Sequence, residues 1–193
     1  MNLTFILFAI GVAIVLWVAL NYNSLVRIRQ HVRESWSDID TELKRRYDLV
    51  PNLVETVKGY AAHERELFQR VTEARAQAAA STGSPGRQSA DEKPLVDGMR
   101  RLFAVAESYP ELKASENFLA LQQELASTED RIQRSRRYFN ANVRELNTRV
   151  EMFPSNIVAG IFGFEREEFF EVESSVIREV VDISFQDRGH SAD

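Results

Sequence analysis

Residues 3–20 read LTFILFAIGVAIVLWVAL, an apolar run of 18 residues without a charge. A helix rises about 1.5 Å per residue, so this run and the neutral residues 21–26 after it cover roughly 30 Å of hydrocarbon. The run predicts one transmembrane helix, and no later segment is long and apolar enough for a second. The predicted membrane-spanning side chains are Leu3, Phe5, Ile6, Ile10, Ile14, Leu16, Trp17 and Leu20.

A cleaved signal peptide is the alternative for such a segment. It needs basic residues ahead of an apolar core of about 7–15 residues and a small-residue cleavage site after it. No Lys or Arg precedes the run, and residues 21–25 lead into a helical pattern, which favours a retained anchor. Basic residues follow the span from Arg27 onward, so the positive-inside rule predicts an outer N-terminus and a cytoplasmic C-terminal side.

The composition limits what the rest of the chain can be. The chain has 193 residues and no cysteine, which excludes disulfides and thiolate metal sites. About 170 residues follow the span, enough for one domain. The net charge is −5, and residues 151–193 alone hold 10 acidic and 3 basic side chains. Because this balance comes without an aromatic and basic binding platform, nucleic acid is not an expected partner.

Helical spacing of apolar residues continues beyond the span. From Leu25 to Leu43 the apolar residues are three or four positions apart, which predicts a helix continuous with the anchor. Asp48 is a good helix cap and Pro51 suits only the first turn of a helix. A turn is therefore predicted here, with a second helix over residues 51–80.

The remaining segments are predicted from residues that interrupt helices and from the spacing of apolar residues. Residues 81–89, STGSPGRQS, predict a mobile loop, and residues 92–107 a short amphipathic helix. Over residues 111–152 the apolar residues are again three or four positions apart, which predicts the longest helix of the chain. Residues 157–170, rich in aromatics and glycine, predict a short helix, and residues 176–185 a strand or extended arm.

The predicted fold class is therefore all-α. A single transmembrane helix runs into an antiparallel bundle of long helices, and a short mixed tail follows. The expected units are an anchor over residues 1–24, a bundle over residues 25–153 and an acidic, aromatic-rich C-terminal segment over residues 154–193.

Catalytic and metal chemistry find little support in the sequence. His31, His63 and His190 are scattered, and no nucleophile motif accompanies them. A dimetal site in a helical bundle uses Glu-x-x-His pairs, and neither His31 nor His63 has a Glu three residues earlier. No enzyme activity, catalytic residue, metal site or cofactor is predicted.

Two groups of polar residues are candidates for other roles. Glu64 and Arg136 lie in or beside apolar helix stripes and are predicted to be polar contacts between helices, paired with each other or with Arg45 or Arg46. Trp36 is predicted to be core. If successive helices descend from and return to the membrane, the basic half of the long helix ends near lipid, where arginines could contact anionic headgroups. The predicted lipid-facing residues are Arg131, Arg134, Arg137, Arg144 and Arg149, and the same topology brings Phe162, Phe164, Phe169 and Phe170 toward the membrane or a neighbouring subunit.

Several blocks of sequence, in order along the chain, resemble the LemA family. The blocks are ESWSDID at 34–40, LKRR at 43–46, DLVPNLVE at 48–55, KGYA at 58–61, ENFL at 116–119, LQQEL at 121–125 and FPSN at 153–156. The chain departs from the family at residues 138–140, where Tyr-Asn is usual. The resemblance implies one N-terminal transmembrane helix in a bacterial inner membrane and a helical domain on its cytoplasmic side. It implies no established activity and no site residues.

Three classes of function stay open at this point. The first is a scaffold that self-assembles at the cytoplasmic face and organises or remodels the membrane, with lipid and further copies as partners; magnetosome-associated relatives of the family favour it by analogy. The second is an adaptor that presents a helical surface to an unidentified signalling or stress protein. The third is a membrane-tethered enzyme, which stoichiometric bound metal would favour.

Overall fold

The computed structural model of the chain describes residues 3–170. Six helices and no strand lie in this range, so the predicted all-α class is confirmed. The predicted arm over residues 176–185 lies outside the described residues. The helices are α1 (Leu3–Lys58), α2 (Arg65–Ala80), α3 (Pro85–Glu107), α4 (Pro110–Lys113), α5 (Glu116–Glu151) and α6 (Ser155–Ile161).

The predicted continuity of anchor and domain is confirmed in α1. This helix has 56 residues, about 84 Å at 1.5 Å per residue. Its first part is long and apolar enough to cross a membrane, and none of that stretch is buried in the rest of the chain. The remainder of α1 carries a buried stripe that packs on the bundle. The buried apolar residues of this stripe are Leu25, Val32, Ile39, Leu43, Tyr47, Val50, Leu53, Val54 and Val57.

An antiparallel pair of α1 and α5 forms the centre of the bundle. Asn142 Nδ2 of α5 donates to His31 O at 3.3 Å, and further from the span Arg131 Nε contacts Glu42 Oε2 at 3.0 Å. Residue numbers therefore fall along α5 as they rise along α1, and α5 ends at the membrane side. The side chains that fill this interface from α5 are Leu125, Ile132, Phe139, Val143 and Leu146.

Helices α2 and α3 form a hairpin that packs on the part of α1 distant from the span. The two helices approach closely at Gly98, where an added Cβ would lie 2.8 Å from Val71 Cγ2. Leu95 and Leu102 are fully buried on the same face of α3. The hairpin therefore depends on glycine at position 98 for its spacing.

The predicted end of the first helix is wrong. α1 runs through Pro51 to Lys58, so neither the turn before Pro51 nor a helix over residues 51–80 exists. A proline inside a helix leaves the carbonyl four residues earlier without its donor. Here Arg75 Nε of α2 donates to that carbonyl, Tyr47 O, at 2.5 Å. The side chain of another helix thus offsets part of the cost of the proline, and α2 starts only at Arg65.

Other predicted boundaries also need correction. α3 begins at Pro85, a residue favoured at the start of a helix, so the predicted loop over residues 81–89 is reduced to residues 81–84. Ala114 and Ser115 divide the helix predicted over residues 111–152 into α4 and α5. The longest described helix is α1, not α5.

The helix predicted over residues 157–170 ends early, at Ile161. Gly163 takes the left-handed conformation with φ +67°, and Phe164 N donates to Ala159 O at 2.9 Å. This is the glycine-terminated helix end that a side chain at position 163 would strain. Residues 162–170, named the strap below, leave α6 here and contain no helix beyond it.

Candidate functional site

The end of the bundle that faces the span carries a patch of exposed apolar side chains. The register of α1 and α5 places the end of α5 level with residue 22 of α1, because Glu151 is nine residues beyond Asn142 and Tyr22 is nine before His31. The Tyr22 and Phe162 rings confirm this level, with centroids 4.7 Å apart. The bundle therefore extends along α1 as far as the C-terminal end of its apolar segment.

Helix α6 is amphipathic at this end. Its inner face, formed by Ser155, Val158 and Ala159, is buried against the bundle. Ile157 and Ile161, four residues apart, share the outer face, and exposure reaches 75% at Phe153 just before the helix. The exposed apolar side chains, named the α6 patch, are Met152, Phe153, Ile157, Ile161 and Phe162.

The predicted lipid-facing arginines lie at very different distances from this end. At 1.5 Å per residue, Arg149 lies about 3 Å and Arg144 about 10 Å from Glu151 along α5. Arg131 lies about 30 Å away by the same measure and pairs with Glu42. Arg134 and Arg137 are exposed between them. Charge interactions fade over a Debye length of about 8–10 Å, so contact with lipid stays a prediction that favours Arg144 and Arg149.

Two asparagines of α5 hold the strap on the bundle. Asn147 donates to Glu167 O at 3.0 Å and accepts from Glu167 N at 2.9 Å. Asn140 likewise donates to Phe170 O at 3.2 Å and accepts from Phe170 N at 3.0 Å. Each side-chain amide therefore satisfies both backbone groups of one strap residue, as a neighbouring strand would.

Aromatic side chains of the strap fill the space between these asparagines and α1. Phe164 is buried beneath Arg29, whose guanidinium lies 4.7 Å from the ring centroid. Phe170 is buried between Trp36, at 5.7 Å between centroids, and Arg136, at 5.4 Å. Their predicted orientation toward the membrane or a neighbouring subunit is wrong, because both pack on the chain's own α1 and α5. The half-buried Phe169 also packs on the core.

A buried cluster of charged and polar side chains joins α1, α3 and α5. Arg46 and Glu92 are each only 3% exposed and form an ion pair, and Arg46 Nη1 also contacts Glu129 Oε2 at 2.8 Å. The Tyr47 hydroxyl donates to Glu92, and Gln88 Nε2 donates to Glu92 Oε1 at 2.9 Å. One carboxylate thus receives donors from three side chains, a charge-assisted network that defines how the helices align.

Titration in this cluster favours one protonation state. Burial, followed by the hydrogen bond to Glu92, raises the pKa of Tyr47 well above its usual range. The phenol therefore keeps its proton and remains a donor. Burial lowers the pKa of Arg136, while the charge of Glu129 raises it. Ion-pair networks between helices perturb pKa values in this way.

Beside the cluster lies a groove of about 690 Å³ between α3 and α5. Apolar side chains line it, among them Leu43, Val96 and Phe103, and Phe170 of the strap is also part of the lining. Four cationic and two anionic side chains also line it, a net charge of +2. They are Arg46, Lys93, Arg100, Arg136, Asp97 and Glu129.

The two predicted polar contacts, Glu64 and Arg136, are far apart in sequence and differ in setting. Glu64 is half-buried and precedes α2, where its carbonyl accepts Phe68 N at 3.2 Å. Arg136 contacts Gln133 Oε1 at 3.4 Å and lies over Phe170. Glu64 and Arg136 do not form an ion pair with each other among the described contacts. The central charge is Arg46, which the sequence predicted only as a partner of these two residues.

Sequence reasoning overlooked the cluster and the asparagines, although weak signals exist. Arg46 stands at stripe position between Leu43 and Val50 on α1, and Glu92 stands at stripe position before Leu95 on α3. A charge at a core position is a signal for a buried pair. The spacing of seven between Asn140 and Asn147 in a helix is the corresponding signal for a shared face.

Comparison with known proteins places the chain in a family. The model of the LemA family matches residues 35–185. Magnetosome protein MamQ of Magnetospirillum gryphiswaldense is 27% identical over 184 residues, which cover 82% of this chain and 68% of that protein. Protein LemA of Metamycoplasma hominis is 26% identical over 183 residues, with 90% and 83% coverage. The blocks of residues that suggested this resemblance are thus matched over most of the chain, which belongs to the LemA family.

Proposed function

We propose that this protein is a membrane-anchored scaffold that rests on the cytoplasmic leaflet and organises or remodels the bilayer there. The observation that carries this function is the α6 patch, placed at the level where the apolar segment of α1 ends. The anchor holds the bundle against the surface, and the patch enters the outermost part of the leaflet.

The energetics favour contact of the patch with lipid. Proteins in water rarely keep a cluster of large apolar side chains exposed unless it is a binding surface. Burial of one such side chain contributes about 1.5–3 kcal/mol. Because α1 already tethers the bundle, insertion of the patch involves little further loss of translational freedom. Even partial burial of Phe153, Ile157 and Ile161 is then sufficient to seat the bundle.

Basic side chains surround the same end and support cytoplasmic orientation. Arg27 and Arg33 of α1 are exposed a few residues after the span, and Arg144 and Arg149 approach from α5. A basic side chain near an anionic leaflet contributes on the order of 1 kcal/mol. The anionic membrane surface thus attracts the basic side chains, and the apolar membrane interior attracts the α6 patch beside them.

Shallow insertion gives a physical route to remodelling. An apolar helix face buried in the headgroup region of one leaflet expands that leaflet relative to the other, and such binding is sensitive to curvature. The similarity to MamQ, by its name a magnetosome protein, supports membrane organisation as the process.

Self-assembly completes the proposed scaffold. One inserted patch perturbs a small area, so remodelling requires many copies in one region. Anchoring holds all copies in the membrane plane with a common orientation, which raises their effective concentration.

A fluorescent label on the α6 patch tests the seating of the bundle. The chain has no cysteine, so Ile157→Cys or Ile161→Cys introduces a single attachment point for an environment-sensitive dye in the full chain, reconstituted in anionic liposomes. We expect a blue-shifted emission and strong quenching by nitroxide-labelled lipids, because the label lies within the leaflet.

Leu119→Cys is the matched control. Leu119 is also an exposed apolar residue, 48% exposed, but it lies 32 residues before Glu151 on α5, about 48 Å from the membrane end. Its label should emit as in water and escape quenching. Equal quenching at positions 157 and 119, or none at either, would refute the seated bundle.

The size of the full chain in mild detergent tests self-assembly separately. Light scattering should give a discrete homo-oligomer for the full chain and a smaller species for a version without residues 1–20. A monomer in both preparations would contradict self-assembly while leaving the seating of the patch to the labelling result.

A further inference from the structure

The α6 patch belongs to a stretch of chain without charge. Residues 152–164 read MFPSNIVAGIFGF and contain no acidic or basic side chain. A helix that binds a membrane through charge carries lysines or arginines along its polar face. The exposed residues of α6 are instead Asn156, Ile157, Gly160 and Ile161. The attraction between this helix and lipid is therefore apolar.

Charged side chains next to the patch largely offset one another. Residues 144–170 hold three basic and five acidic side chains. Arg149 Nε contacts Glu145 Oε1 at 3.1 Å, and Arg166 Nε contacts Glu151 Oε1 at 3.0 Å. These exposed pairs add little stability, but they lower the net charge that this end of the bundle presents to headgroups. Charge thus helps to orient the bundle without selecting strongly between lipids at the patch.

The apolar face of α6 is formed before any contact with lipid. Ser155 Oγ lies 2.8 Å from both Arg149 O and Met152 O, so its hydroxyl donates to the end of α5 and fixes the start of α6. Gly163 fixes the end of α6, and the inner face is buried against the bundle. Insertion therefore requires no folding step and loses little conformational freedom.

The position of α6 along α1 sets the depth of the patch. Val18, within the apolar run, is partly buried and packs on the core of the bundle. It lies four residues before Tyr22, about 6 Å beyond the level at which α5 ends. Among the described helices, α6 follows the end of α5 and contacts α1 here. The patch therefore lies beside the last turn of the apolar run, where headgroups meet hydrocarbon.

We propose that the α6 patch recognises loosely packed lipid, in which gaps between headgroups expose hydrocarbon, and that lipid packing rather than lipid charge controls its insertion. This recognition rests on the proposed seating of the bundle on the leaflet. Large side chains such as Phe153 and Ile161 need area between headgroups. A tightly packed leaflet must be opened to provide that area, whereas a curved or highly unsaturated leaflet already exposes it. Copies of the scaffold then collect where the leaflet is curved.

Membrane tubes drawn from giant vesicles of neutral dioleoylphosphatidylcholine that contain the full chain test this recognition. Asn117→Cys, at an exposed position of α5, carries a dye that cannot cross the membrane, so only chains with an outward bundle are seen. We expect the ratio of dye to lipid signal to be at least about threefold higher in the tube than in the vesicle. Part replacement by phosphatidylglycerol of the same acyl chains should change this ratio little. Enrichment that appears only with phosphatidylglycerol would overturn the proposal.

Three variants show whether the patch causes the enrichment. Ile157→Asn with Ile161→Asn removes apolar area at two exposed positions, and the ratio should fall to about one, since the apolar contact is lost. Leucine at both positions keeps the apolar area and should keep the enrichment. Leu119→Asn makes the same kind of change far from the membrane and should also keep it. Circular dichroism should show equal helicity in all three. Full enrichment in the asparagine pair would refute recognition by the patch.

Quenching of the label at position 157 separates this proposal from the seating of the bundle. A quenched label on chains that show no enrichment in tubes would overturn recognition of lipid packing and leave the seated bundle intact. An unquenched label together with no enrichment would refute both. The comparison of neutral and anionic lipid uses an unaltered α6, so it tests the proposal independently of the variants.

Discussion

Replacement of Glu92 by Ala should lower the free energy of unfolding by about 3–5 kcal/mol, because it removes the buried counter-charge of a buried arginine. Arg46 is only 3% exposed, and its remaining acidic partner, Glu129, is itself 39% exposed. The substitution also removes the acceptor of the Tyr47 hydroxyl and of the Gln88 amide. Urea unfolding of the full chain in mild detergent, followed by circular dichroism, measures the loss.

Glu107→Ala is the control for this substitution. Glu107 also lies on α3 and pairs with Lys113, but both side chains are more than half exposed. An exposed pair contributes about 0–1 kcal/mol, so the control should differ little from the wild-type chain. A loss at Glu92 no larger than the loss at Glu107 would show that the cluster is hydrated rather than buried.

A compensating variant separates charge from packing. Arg46→Met combined with Glu92→Leu removes the pair and fills the same space with apolar atoms, which in other buried pairs is neutral or stabilising. Part of the stability lost in Glu92→Ala should therefore return. If the double variant is as unstable as Glu92→Ala, the loss comes from altered packing and not from the isolated charge.

The spacing of apolar residues was sufficient to predict the long helices and the faces by which they pack. The apolar run of residues 3–20 and the stripe from Leu25 to Leu43 belong to one helix, as predicted, because their spacing is a property of neighbouring residues. The stripe of α5, including Phe139 and Leu146, is predictable for the same reason. The antiparallel order then follows from helices joined by short connections.

The misplaced turn shows where local signals fail. Pro51 carries a strong local preference for a helix start, but the carbonyl it leaves without a donor is satisfied by Arg75, 28 residues from Tyr47 in sequence. A tertiary contact of this kind is invisible to propensity, which is only a weak prior. Without it, the prediction of a turn at Pro51 would be sound.

The polar cluster and the strap were hidden for a related reason. Arg46 and Glu92 lie on different helices, and a charge at a stripe position does not by itself identify its partner. Glu167 and Phe170 lie in a segment without periodicity, and only their partners on α5 define its path. Pairings over 20 or more residues need the positions of whole helices before the residues can be matched.

The asparagine pair offers the second large effect. Asn140→Ala with Asn147→Ala removes four hydrogen bonds to the strap, each with a net contribution of about 1 kcal/mol. Opening of the strap should become easier by about 4 kcal/mol, close to a thousandfold in equilibrium constant. Amide hydrogen exchange of the full chain should show this as lost protection in residues 164–170, while the paired α1 and α5 stay protected.

Asn117→Ala, at an exposed position of α5, is the matched control and should leave strap exchange unchanged. Loss of protection throughout α5 in the double variant would instead mean that the asparagines support the whole bundle. Retained protection of residues 164–170 would show that the aromatic contacts of Phe164 and Phe170 suffice to hold the strap. Because the strap joins the α6 patch to the groove, its local opening would withdraw Phe170 from the groove while the anchor and the α1–α5 pair remain intact.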